Sequence, residues 1–226
     1  MLKTLPQKFS IQPIVEQVIS LGDFGKRLDL NSPTGDFFND PWKTNSKFNN
    51  TPIGVVLDRL GDIGQARLLC LESAESYTAH ADPDDRIHVA VITNEFSYIV
   101  NLTDNKLYHL PADGQAWYMD TGKLHVAANW GSRTRIHINI RVLMPRFDKN
   151  KNSLRIKVLD GDYDWKQLAY IPIMSLINKH IKTKYITGFK GISEKEVIIN
   201  TDIPNIFDDA IYNIRTAGIK LEVTQI

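Results

Sequence analysis

The sequence predicts a mainly β fold: an antiparallel jelly-roll core with flanking helices, followed by a small α/β appendage. Between Gly64 and Leu143, short strand-like segments alternate with turn signals at Asp104-Asn105, Asp113-Gly114, Thr121-Gly122 and Trp130-Gly131, the beat of a sandwich or barrel. Along 135–141, Arg135, His137, Asn139 and Arg141 alternate with Ile136, Ile138 and Ile140, the period of a strand with two unlike faces. Beyond the polar link Asp148-Lys149-Asn150-Lys151-Asn152 the pattern becomes mixed. The expected division is a helical and loop segment over 1–60 that packs on the core, the jelly-roll core over 61–147, and the appendage over 153–226.

In chain order, the N-terminal part holds one amphipathic stretch. Ile14, Val15, Val18 and Ile19 recur at helical spacing, and Pro13 suits a first helical position. Asn31-Ser32-Pro33-Thr34-Gly35 and the stretch from Phe38 to Asn50 combine turn formers with aromatics, as expected of a packed loop or one that closes over a pocket. Core strands are expected at Ala66–Leu71, 87–93, 98–102, 106–110, Gln115–Met119, 124–128 and 134–143. In the appendage, 173–181 has helical spacing and 196–199 reads as a strand. A helix over 204–216 should stop near Gly218, before a last strand at 219–223.

At 226 residues the chain can bury a sizeable core. Its 27 Lys and Arg nearly balance 26 Asp and Glu, so no overall field draws nucleic acid or an anionic membrane, and neither is expected as a partner. Cys70 is the only cysteine, which excludes an intrachain disulfide and any cysteine-rich zinc or iron–sulfur site. No apolar run suits a secretory signal or a membrane span, so a reducing, cytoplasmic compartment is expected. The Asn101-Leu102-Thr103 sequon is then accidental. Asp160-Gly161-Asp162-Tyr163-Asp164 has the look of a calcium loop but lacks the rest of that pattern and reads as a solvated turn.

The chemistry concentrates between His80 and Arg141. His80 and Asp82 are two apart, so on an extended chain both point to one face, and His125 opens a later strand. Two imidazoles and a carboxylate are the donor set of a facial triad that holds Fe(II) from one side and leaves positions open for substrate and O₂. Arg135 supplies an always-protonated fork for a carboxylate. A His-x-Asp also arises by chance among six histidines, and a strand histidine is more often a structural, hydrogen-bonded residue. The context favours a site, because inward-facing polar residues along 135–141 need partners or a ligand. His109 and His180 have no such context and are expected at the surface or in hydrogen bonds. Trp117 and Trp130 are expected in the core, with pocket lining as the alternative. Arg67 and Tyr77, near the strand leading to His80, are further candidates for ligand contact.

One series of residues is more specific than any single element: Arg86-Ile87-His88, Thr93-Asn94, Gly114-Gln115-Ala116-Trp117, His125, Asn129, Gly131 and Arg135-Ile136-His137. In this order it resembles the aspartyl/asparaginyl β-hydroxylase-like group of Fe(II)/2-oxoglutarate dioxygenases, which includes bacterial hydroxylases of free proline. The likeness spans about residues 60 to 143. It implies a double-stranded β-helix of the cupin kind, with His80, Asp82 and His125 as iron ligands. Arg135 would hold the distal carboxylate of 2-oxoglutarate, and His88 would lie near its metal-chelating carboxylate. Arg86 becomes a candidate for a substrate carboxylate, with Trp117 beside it on the substrate side. Some members replace the acidic ligand by glycine; this chain keeps Asp82.

The implied reaction hydroxylates a C–H bond with Fe(II), 2-oxoglutarate and O₂, the protein binding, orienting and excluding water. A free amino acid or similar small carboxylate is preferred as substrate, because no peptide-binding repeat accompanies the core. Hydroxylation of Asp or Asn in a peptide is the alternative. A non-oxidative cupin metalloenzyme and a non-catalytic ligand-binding module stay open as other classes. The appendage could serve as a lid, a homodimer contact or a recognition element.

Overall fold

The computed structural model describes residues 2–159, 169–193 and 195–226. The chain opens with β1 (Leu2–Lys8), α1 (Ile11–Ser20), β2 (Arg27–Asp29), β3 (Asn31–Pro33), β4 (Trp42–Thr44) and α2 (Pro52–Leu60). The central run is β5 (Ala66–Leu71), β6 (Glu75–Ser76), β7 (Arg86–Ile92), β8 (Ser97–Asn101), β9 (Lys106–Tyr108), β10 (Gln115–Met119), β11 (His125–Asn129) and β12 (Arg135–Arg141). It ends with β13 (Ser153–Val158), α3 (Ile171–Lys182), β14 (Gly188–Ser193), β15 (Glu196–Asn200), α4 (Asp208–Thr216) and β16 (Leu221–Gln225).

These strands pair antiparallel into a six-stranded sheet, β1-β10-β7-β12-β5-β2, a four-stranded sheet, β6-β11-β8-β9, and a second four-stranded sheet, β14-β15-β13-β16. The first two face each other as a jelly roll. Leu71, Ala90 and Met119 of the large sheet pack with Ile99 and Ala127 of the small one between them. The mainly β core with flanking helices is thus the architecture the alternation predicts.

Alternation gives the large sheet two unlike faces. Ile136, Ile138 and Ile140 turn outward with Ala66, Leu68, Val89 and Val91, and α1 and α2 cover them with Ile14, Val18, Ile53, Val56 and Leu57. Each such aliphatic side chain contributes roughly 1.5–3 kcal/mol on burial. The opposite face carries Arg67, His88, Arg135, His137 and Asn139 into the space between the sheets. A third apolar cluster joins α3 and α4 to the last sheet through Ile173, Ile177, Ile199 and Phe207. Among the described residues no helix is long and apolar enough to cross a membrane.

Several elements differ from the sequence reading. α1 begins at Ile11, which puts Pro13 third; its missing N–H has no intrahelical acceptor anywhere in the first turn, so the position is tolerated. β1 and α2 are elements that the sequence reading did not assign within the helical and loop segment over 1–60. Residues 204–207 form turns, and α4 starts only at Asp208, where Asp208 and Asp209 face the positive end of the helix. Trp130 is exposed and tilted against Tyr98, outside the core and not among the residues that line the cavity between the sheets. Asn101 is buried and hydrogen-bonded to Asp104, so the sequon is closed to modification. The run from Asp160 to Asp164 lies outside the described residues.

Candidate metal centre and cavity

His80, Asp82 and His125 converge, with one ligand atom from each lying within 4.8 Å of the others. Backbone pairing creates the cluster. His80 N donates to His125 O (3.0 Å), His125 N to His80 O (2.9 Å), and Asp82 N to Thr121 O (2.9 Å). The 80–82 segment is thereby stitched antiparallel to the entry of β11, and Ala81 between His80 and Asp82 is fully buried.

Each imidazole is fixed in one tautomer. Nδ1 of His80 lies 2.8 Å from Thr78 O, and Nδ1 of His125 lies 2.8 Å from Lys123 O. A carbonyl can only accept, so both Nδ1 atoms carry the proton and both Nε2 atoms present lone pairs. Burial, then the neighbouring His80, lowers the His125 pKa to about 4, so it is neutral at physiological pH. Two neutral nitrogens and one carboxylate fit a divalent first-row metal such as Fe(II).

The triad borders a cavity of 460 Å³ between the two sheets. Its floor is built from rows of side chains on neighbouring strands, with Arg67, Asn139 and His88 in register across β5, β12 and β7. Arg67 Nη2 donates to Asn139 Oδ1 (3.2 Å), so Asn139 turns its Nδ2 to His88 Nε2 (3.2 Å). His88 must then carry its proton on Nδ1. By the same logic Arg135 Nη2 donates to His137 Nδ1 (3.0 Å) and leaves the His137 proton on Nε2. Burial, and next the nearby Arg135 charge, hold both histidines well below their ordinary pKa and keep them neutral.

These networks leave donors without acceptors. Arg67 Nε, His88 Nδ1 and His137 Nε2 are buried and meet no partner, and all three residues line the cavity. Among the described residues neither Arg67 nor Arg135 has a carboxylate partner. Burial lowers the pKa of each to about 10, with Arg86, Arg27 and Arg141 adding to the effect at Arg67. Both stay charged at neutral pH. A buried wall of donors with two unpaired cations calls for an acceptor-rich, anionic ligand.

The other predicted residues are placed as follows. Arg86 lines the cavity, but Nη1 is bound to Asp84 and Nη2 lies 3.3 Å from Asp82 Oδ2. Burial alone would lower its pKa; Asp82 and Asp84 more than offset this and raise it. The candidate fork for a substrate carboxylate is thus already engaged, and it braces Asp82. Trp117 pairs with His88 across the strands yet does not line the cavity; Met119, next on the same face, does. Tyr77 lines it beside Arg135. His109 is tied to Ser97 O, and His180 packs against Tyr185 and Phe207.

Sequence reasoning missed Asp84, the counter-ion of both Arg86 and Arg141. Its only signal is the acidic pair Asp84-Asp85 two residues after Asp82. It also missed the brace from α3: Asn178 and Lys182 both bind Asp85, and Ser175 binds Gly122 O, on the two loops that deliver Asp82 and His125. Gly122 is required there, since a Cβ would stand 2.5 Å from Asn178 Oδ1. Asn94, Asn129 and Gly131 prove to be a structural knot. Asn129 Nδ2 donates to Leu71 O, Glu72 O and Arg133 O, and Asn94 caps its Oδ1.

No protein-family model and no curated protein matches the chain. Among solved structures it is similar to an oxidoreductase of the 2OG-Fe(II) oxygenase family from Burkholderia pseudomallei, at 10% identity and TM-score 0.42, over 56% of this chain and 76% of that one. It is also similar to a cupin superfamily protein from Desulfitobacterium hafniense, at 16% identity and TM-score 0.34, over 63% and 98% of the two chains. Likenesses this loose carry no argument about the chemistry.

Proposed function

We propose that this chain is an Fe(II)- and 2-oxoglutarate-dependent oxygenase of the aspartyl/asparaginyl β-hydroxylase-like kind, acting on a free amino acid or similar small carboxylate. The observation that carries the reading is the junction of a His80–Asp82–His125 donor set, both Nε2 lone pairs free, with a cavity where Arg135 is buried and, among the described residues, has no carboxylate partner. A metal site alone would suit any cupin; the unpaired cation beside it asks for an acidic co-substrate.

In this reading His80, Asp82 and His125 hold the iron. Bound iron, with O₂ and 2-oxoglutarate, supplies the oxidant that turns C–H into C–OH with release of succinate and CO₂. Arg135 receives the distal carboxylate by a charge-assisted pair, and its bond to His137 fixes the direction of its fork. His137 Nε2–H and His88 Nδ1–H add neutral donors to the carboxylates and take no part in proton transfer, since burial holds both rings neutral. Ile99, Leu69, Met119 and Ala127 supply the apolar part of the wall. A cavity of 460 Å³ lies in the range of roughly 300–1,000 Å³ usual for small ligands, which favours a small molecule over a peptide.

The test is succinate formation from 2-oxoglutarate with Fe(II) and O₂, against a panel of free amino acids and short Asp- or Asn-containing peptides, with products weighed by mass spectrometry. The reading expects slow uncoupled turnover alone and stimulation by one panel member that gains one oxygen. Stimulation by peptides only would move the substrate to the alternative class. Absence of any turnover, with iron and 2-oxoglutarate binding undetectable, would leave a non-catalytic module.

A further inference from the structure

We infer that Arg67 is a second anion receptor in this cavity, one that takes a single carboxylate of the primary substrate. The inference rests on the oxygenase reading and adds to it the residue that selects the substrate.

The charges around the cavity support this. Five cationic side chains line it: Lys26, Arg27, Arg67, Arg86 and Arg135. Lys26 is paired with Glu75 (2.6 Å), Arg27 with Asp29 (2.8 Å), and Arg86 with Asp84 and Asp82. Among the described residues Arg67 and Arg135 are left without a carboxylate partner. A divalent metal, Asp82 and the proximal carboxylate of 2-oxoglutarate sum to zero, and the distal carboxylate neutralises Arg135. Among the described residues Arg67 is then a lining cation with no carboxylate of its own, since Asp84 is shared by Arg86 and Arg141 and Asp82 belongs to the metal cluster. What it asks for is an anionic oxygen acceptor, which the carboxylate of the proposed substrate supplies.

Arg67 is also prepared for a ligand. Asn139 holds its Nη2, while its Nε–H is sealed from water and meets no acceptor. Arg86, Arg27 and Arg141 make its surroundings positive, and Asp82 opposes them more weakly. A cation in such a place destabilises the empty protein unless something else compensates. Arg86 cannot take this role as it stands, because Asp84 and Asp82 already engage it.

The experiment uses the full chain with Mn(II) in place of Fe(II) and saturating N-oxalylglycine, an unreactive analogue of 2-oxoglutarate. Acetate labelled with ¹³C is the probe, and its carboxylate relaxation by Mn(II) reports binding close to the metal. Wild type should show a saturable effect, Arg67→Met at least a tenfold weaker one, and Arg67→Lys an intermediate one. Without ligands, Arg67→Met should melt above wild type, whereas loss of a purely structural arginine would lower the melting temperature. Equal acetate binding in Arg67→Met, no saturable binding in loaded wild type, or inorganic phosphate displacing acetate at lower concentration would each overturn the assignment. Failure of Mn(II) or N-oxalylglycine to bind at all is a separate result: it removes the oxygenase reading, and this inference with it.

Discussion

Replacing Asp84 by Asn tests whether the cationic face of the core depends on one buried carboxylate. Asp84 has 1% of its side chain exposed and is the carboxylate that Arg86 (8%) and Arg141 (12%) share. Burial opposes its ionisation, yet Arg86 and Arg141 outweigh burial and hold its pKa below the ordinary carboxylate value. Asn keeps the shape and removes the charge. Breaking a buried pair by removing one partner costs about 3–5 kcal/mol. The upper part of that range does not apply, because Arg86 keeps Asp82 at 3.3 Å and Arg141 stays over the rings of Phe37 and Phe38 at 4.6 Å. A loss of about 3–4 kcal/mol at roughly 2–4 °C per kcal/mol lowers the melting temperature by roughly 6–16 °C. Scanning calorimetry at pH 7 reads it directly. The pH dependence adds a sign. A carboxylate with a depressed folded pKa stabilises above its unfolded pKa and loses that contribution as pH falls through the folded value, so the Asp84→Asn protein should lie closest to wild type in acid. A drop of less than about 2 °C at pH 7 would refute the reasoning, since Arg86 and Arg141 would then be neutralised by something else.

Three further outcomes are expected. Asp82→Ala should abolish turnover and weaken Mn(II) binding, read by electron paramagnetic resonance, with an unchanged circular dichroism spectrum; retained activity would refute the ligand assignment. Arg135→Ala should leave metal binding intact and weaken 2-oxoglutarate roughly tenfold to a hundredfold, as expected for a charge-assisted hydrogen bond of about 1.5–3 kcal/mol; isothermal titration with the Mn(II) protein measures both. Cys70 should resist alkylation. Burial, and next its bond to Glu72, push the thiol pKa up to about 12. At pH 8 that leaves about one thiolate in 10⁴ molecules, so iodoacetamide should react roughly a thousandfold more slowly than with an ordinary cysteine. Rapid labelling of the native chain would show the 66–71 strand to open.

The fold was legible where alternation and turn chemistry coincide. Ala66–Leu71 and Gln115–Met119 are read to the residue, and Arg135–Arg141 shows both of its faces in the sequence. β1 was hidden because Pro6 interrupts it; it is an edge strand, and its register shifts between Thr4 and Lys8, where a missing N–H is tolerated. α2 was hidden by Gly54, which looks like a breaker. That glycine lets Phe48 O approach to 2.0 Å of where a Cβ would be, while Thr51 Oγ1 accepts from its N–H as an N-cap. The His80–Asp82 spacing displays its own geometry. What an arginine touches does not: Arg86 meets Asp84 two residues away, Asp84 meets Arg141 fifty-seven residues on, and only the folded sheet decides which cation is left over.

That partition separates structure from recognition on one surface. Arg67, Arg86, Arg135 and Arg141 all project from the inner face of the same sheet, and spacing alone treats them as equals. The protein supplies carboxylates to two of them. Arg86 and Arg141 share Asp84, which ties β7 to β12 beside the His80–Asp82–His125 cluster without needing a ligand. Among the described residues no carboxylate pairs with Arg67 or Arg135, which line the cavity, and His88 Nδ1–H and His137 Nε2–H are further donors with no acceptor. A core selected for stability alone would pair or replace these groups, since each unmet buried donor costs about 1–3 kcal/mol. Their persistence side by side is accounted for if ligands complete them. The outer face of the same strands, where Ile136, Ile138 and Ile140 meet α1 and α2, supplies apolar burial that can offset this cost. Arg67→Met and Asp84→Asn should therefore shift the melting temperature of the empty protein in opposite directions, although each removes one charge from the same sheet face.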